Sequence, residues 1–129
     1  MTDVKVAVYK PTEKGKLCHW AIWLTTSQPD ESIIFQITDN MYGYGYRLAD
    51  PIYTNPFHTE KFSSYFHCGS IRQENLDCAV DAIMNYPVHN RMATWNCQSW
   101  VLECLDMLAR IGAMDCLSQG RHLLETLRE

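Results

Sequence analysis

Apolar positions alternate with polar ones in the first half of this chain and recur every three to four residues in the second, with the change near residue 73. Val4, Val6 and Val8 alternate with Lys5, Ala7 and Tyr9, which predicts a strand closed off by Pro11 and Gly15. Cys18–Thr25 is the next strand, with Cys18, Trp20, Ile22 and Leu24 on one face and His19, Ala21, Trp23 and Thr25 on the other. Beyond a polar turn, Ser32–Thr38 places Ile33, Phe35 and Ile37 opposite Ile34, Gln36 and Thr38. Gln36 is an amide in an apolar strand, and burying it unpaired would cost about 1–3 kcal/mol, so it should have a specific partner. Arg47–Asp50 extends a strand signal as far as Pro51, Ile52–Glu60 is an irregular connection, and Phe62–Ile71 alternates again.

From Gln73 the period is helical. Leu76, Ala79, Val80, Ile83 and Met84 share a face up to Asn85–Tyr86, where Pro87 stops the helix. The clearest pattern is residues 94–111, where Cys97, Trp100, Val101, Cys104, Leu105, Leu108 and Ile111 form one stripe, with Gln98, Ser99, Glu103, Asp106 and Arg110 mostly opposite. Thr94 or Asn96 can cap this helix, and Gly112 can end it. Met114–Arg128 predicts a last helix weakened in its middle by Gly120. Strands followed by helices indicate an α+β domain over residues 1–129, an antiparallel sheet of about four to five strands with helices on one side.

Composition narrows the class. With 129 residues, 47% of them hydrophobic, one domain can bury a full core. A net charge of −4 with no Lys/Arg run argues against nucleic acid or an anionic membrane as a primary partner. No stretch approaches membrane-spanning length and Met1–Lys10 is no secretory leader, so the expected location is cytoplasmic. The six cysteines include no Cys-x-x-Cys pair and are expected to be reduced thiols. Cys18-His19 and His67-Cys68 are zinc-type donors at a spacing that fits no common zinc pattern, and no cofactor is implied.

Cys97 falls in the first turn of its helix, where backbone N–H groups and the positive end of the dipole favour a thiolate. A buried structural cysteine is the plainer alternative. A thiolate nucleophile needs a base within hydrogen-bond reach and gains from a third group that orients the base. His19 and Gln36 can fill those roles if the helix packs on the sheet face that bears them. Trp23 or Trp95 could wall a substrate cleft. Met41–Tyr46, with Tyr44 at its centre, is either a substrate-facing loop or a hairpin turn with tyrosines lying over the sheet.

Two segments carry a family resemblance. His19-Trp20-Ala21-Ile22-Trp23-Leu24, followed much later by Asn96-Cys97-Gln98-Ser99-Trp100-Val101 at a helix start, resembles the lecithin:retinol acyltransferase-type members of the NlpC/P60 superfamily, which are circularly permuted papain-like thiol enzymes. The permuted papain-like deSUMOylating peptidases share the His-then-Cys order and are the near neighbour. The resemblance implies Cys97 as nucleophile, His19 as general base, and a small-molecule, lipid or peptide acyl substrate. Gln36 stands where that family usually has a second His; an amide can orient an imidazole but cannot share its charge. The C-terminal membrane anchor of many acyltransferase relatives has no counterpart in Arg110–Glu129. The mechanism implied is two-step acyl transfer, with an inactive papain-like scaffold used for binding or assembly as the alternative. Oligomeric state is not legible.

Overall fold

The computed structural model describes residues 1–11, 17–26, 31–39, 45–90 and 94–129. Strands β1 (Thr2–Tyr9), β2 (His19–Thr25), β3 (Ser32–Phe35), β6 (Phe62–Ile71) and β7 (Asp115–Cys116) form a five-stranded antiparallel sheet in the order β3-β2-β1-β6-β7. β4 (Ile37–Asp39) and β5 (Tyr46–Leu48) pair as a separate ribbon. Three helices follow or interrupt the last strands: α1 (Leu76–Met84), α2 (Cys97–Arg110) and α3 (Ser118–Leu127). The architecture is α+β, as the change of period predicts.

Alternation divides the sheet into two faces. Val4, Val6 and Val8 of β1 and Trp20, Ile22 and Leu24 of β2 share the main core with Trp100, Val101, Cys104, Leu105 and Leu108 of α2. Ala7, Ala21, Trp23 and Ile34 point to the other side, beneath Tyr9 and Phe62. Phe57, from the short turn Pro56–His58, meets Trp23 edge-on at 5.5 Å and Phe62 at 4.9 Å, so aromatic rings rather than a helix cover part of this second face.

Three expectations are corrected. The strand over Ser32–Thr38 breaks at Gln36: β3 stays with β2 to Phe35, while β4 leaves to pair with β5. The last helix begins at Ser118 rather than Met114, because Asp115 and Cys116 pair with Ser70 and Gly69 on the edge of β6. Ile111 is 50% exposed, whereas Gln98 and Ser99, expected on the polar side of α2, are buried.

The buried start of α2 is held by a reciprocal cap. Asn96 Oδ1 accepts from the N–H groups of Gln98 (2.9 Å) and Ser99 (3.2 Å), while the Asn96 N–H donates to Ser99 Oγ (3.2 Å). Asn96→Ala removes the acceptor and is expected to cost about 1 kcal/mol of unfolding free energy in urea titration. Loss within error of zero would show that water replaces the cap.

Candidate functional site

Cys97 is the first residue of α2 and is 5% exposed. Its surroundings follow from where β3 stops. The last β2–β3 pair toward the start of β2 is Ile22 with Phe35, so among the described residues the edge of Cys18–Trp20 that faces away from β1 has no strand beside it. The head of α2 fills this gap. The Cys97 thiol faces the Cys18 carbonyl oxygen at 3.9 Å, and the Trp20 N–H points back at Sγ. Both groups flank His19. Gln98, also buried, donates from Nε2 to the same Cys18 oxygen (3.0 Å) and accepts from the Glu129 N–H (2.9 Å). Helix α2 therefore packs on the face of Trp20 and Ile22 and not on the face bearing His19, so the packing that the catalytic reading makes its condition is not met in that form. What the thiol meets instead is the backbone on either side of His19.

His19 opens β2, half-buried, with its ring 5.6 Å from that of Tyr9. Its Nε2 lies 2.7 Å from Gln36 Oε1. A carbonyl oxygen can only accept, so Nε2 carries the proton and Nδ1 keeps the lone pair. The strand break at Gln36 gives this amide its partner. Asp39, at the end of β4, adds a negative field felt by both His19 and Cys97.

The electrostatics differ from the simple helix-dipole expectation. Burial pushes the Cys97 thiol up, and Asp39 adds to this; the N–H groups of Trp20, Gln98 and Cys97 itself pull it back only in part. His19 is lowered, chiefly by burial, against the opposing pull of Gln36 and Asp39. Both shifts favour a neutral thiol beside a neutral imidazole at rest.

These shifts link stability to pH. A histidine lowered on folding binds its proton more readily in the unfolded chain, so its contribution is present above about pH 6.5 and is lost as pH falls below that value. Cys97, raised on folding, acts oppositely: its contribution fades as pH rises past the ordinary thiol range. His19→Gln should therefore flatten the acid limb of a plot of urea midpoint against pH below about 6.5. An unchanged limb would exclude His19 as its source.

His19 and Gln36 also line a cleft of about 400 Å³ on the sheet face away from α2, and Cys97 does not line it. Trp23, expected as a cleft wall, is buried elsewhere on this face, with Nε1 donating to Ser32 Oγ at 3.0 Å. Trp95 precedes the α2 cap and is tied down by Nε1 donating to Glu103 (2.7 Å), a carboxylate that also accepts from Tyr86 OH (2.8 Å). Tyr44 lies outside the described residues.

Sequence reasoning missed two neighbours. The polarity of Gln98 suggests solvent, although its place directly after the cap residue and Cys97 is a visible signal. Tyr46, in sequence the end of the tyrosine-glycine loop, is half-buried against Trp95, with ring centroids 6.3 Å apart. Its phenol is pushed up by burial first and then by the charges of Cys97 and Asp39, so it lies within electrostatic reach of the thiol. Asn90 fastens it, accepting from the Tyr46 N–H (2.6 Å) and donating to its carbonyl (2.9 Å). Among the described residues no group of three or more His, Cys, Asp or Glu side chains gathers as a metal site, and no helix is long and apolar enough to cross a membrane.

Comparison with curated proteins and with solved structures finds no match. The model of one protein family does match, over residues 4–115, a span that holds β1 through α2 and every side chain of the site just described. The chain belongs to that family, which is described as a family of unknown function (DUF6540).

Proposed function

We propose that this protein is a thiol-dependent hydrolase or acyltransferase with a circularly permuted papain-like fold, acting on an ester, thioester or amide through Cys97, His19 and Gln36. One observation carries the reading: Cys97 Sγ is engaged by the two backbone groups on either side of His19, while the ring of that histidine is held by Gln36. With Nε2 occupied, Nδ1 is the nitrogen left to take the thiol proton. The thiolate then attacks the acyl carbonyl, the carbon–sulfur bond forms, and the imidazolium returns its proton to the departing alcohol, thiol or amine. Water or an amine, deprotonated by the same nitrogen, releases the acyl group and restores the thiol. The N–H groups at the head of α2, with that of Trp20, are the donors available to a developing oxyanion. Because the resting pair is neutral, proton transfer accompanies attack instead of preceding it.

The deep burial of Cys97 and its raised thiol favour a second reading, a scaffold of the same shape that binds without turnover. Intact-mass analysis after exposure to p-nitrophenyl acetate separates the two. The enzyme reading expects one acetyl group on Cys97 at neutral pH and none in Cys97→Ser; unmodified wild-type protein would leave only the scaffold.

A further inference from the structure

The cleft beside His19 has a lining that runs against the charge of the whole molecule. Ile34, Ile52, Pro56 and the Tyr9 ring give it apolar walls of a size suited to a small organic ligand. Lys10, Lys61 and His58 also line it, and among the described residues no Asp or Glu does, in a chain whose net charge is −4. The two lysines are set side by side by the fold, since the Lys10 N–H donates to the Lys61 carbonyl at 2.7 Å. Several other cations of the chain are engaged. Lys5 lies 4.8 Å over the Trp23 and Tyr65 rings, Arg72 faces Asp115, and Arg121 holds Asp106 and Glu125. Among the described residues neither Lys10 nor Lys61 forms an ion pair, so both ammonium groups are available to a ligand anion.

We infer that this cleft binds an anionic acyl compound, with its hydrocarbon part along Ile34, Ile52 and Pro56 and a carboxylate or phosphate between Lys10 and Lys61. His19 and Gln36 line the same cleft. That the occupant is a substrate rests on the function proposed above; that it occupies the cleft does not. Two flexible, exposed lysines attract such a ligand by charge, so its binding weakens as salt is added.

Calorimetric titration of the whole protein with hexanoate, hexyl phosphate and neutral hexanamide tests the assignment. At low salt at least one of the two anions should bind tenfold or more tightly than hexanamide. The tighter anion identifies carboxylate or phosphate as the natural head. In the double variant Lys10→Gln/Lys61→Gln, at two solvent-exposed positions, the advantage should fall to within about twofold while hexanamide binding is unchanged. Equal affinities, an advantage that survives the double variant, or no binding of any probe would each overturn the inference. A parallel acylation assay compares p-nitrophenyl hexanoate with the mono-p-nitrophenyl ester of adipic acid. Anion-selective binding without acylation of Cys97 would sink the proposed function and keep the cleft. Equal acylation by both esters, with no anion preference in binding, would do the reverse.

Discussion

Exchanging His19 for alanine is expected to slow acylation of Cys97 by about 10²–10⁴-fold at neutral pH, the range over which a positioned base contributes. The loss should be large because the thiol is raised by burial, so little thiolate exists near pH 7 without help. The same physics predicts how the loss varies with pH. As pH climbs through the raised thiol range the sulfur ionises unaided, and the rates of wild type and His19→Ala should converge. Parallel curves at every pH would mean that the variant had disturbed the site rather than removed a base. Gln36→Ala should cost less than His19→Ala, since it frees the ring without removing it. Stopped-flow release of p-nitrophenolate measures all three proteins.

Gly120→Ala is expected to destabilise the fold by about 1–3 kcal/mol or more, although alanine is the better helix former. A methyl group at this position in α3 would overlap the His67 carbonyl oxygen and come within 2.8 Å of its carbon. Backbone atoms of β6 cannot turn aside as a side chain would, so α3 must lift and Leu124 must leave the core it shares with Cys68. Gly112→Ala is the control. Nothing lies within 4 Å of its added carbon, but its φ of +77° makes the change cost about 1–2 kcal/mol through the backbone alone. Urea unfolding should show a lower midpoint for both, with native α3–β6 amide protection lost early only in Gly120→Ala. A neutral Gly120→Ala would mean that α3 sits farther from the sheet.

Period-two and period-3.6 patterns carry information about which face a residue occupies, and on that subject the chain was legible. The two faces of β2 and the core stripe of α2 stand as the alternation predicts, apart from Ile111. Periodicity says nothing about which side of a sheet receives a helix, so the sequence leaves the packing of α2 open. It is equally silent on where a strand parts from its neighbour. The break at Gln36 is such a point: the local residues fit a continuous strand, and only the pairing of Ile37 with Leu48 and Asp39 with Tyr46 draws the chain away. Gln98 illustrates a third limit, because a buried amide with both ends bonded to distant backbone has the same sequence signature as an exposed one. Gly120 is a fourth. Its cost to the helix was visible, but the strand it admits was not.

The amide of Gln98 spans from the carbonyl before His19 to the backbone N–H of residue 129, so the far end of the described chain is moored beside the thiol. An affinity handle joined directly after residue 129 would tug on the mooring, so a handle placed before residue 1 is the safer choice for any assay of this protein.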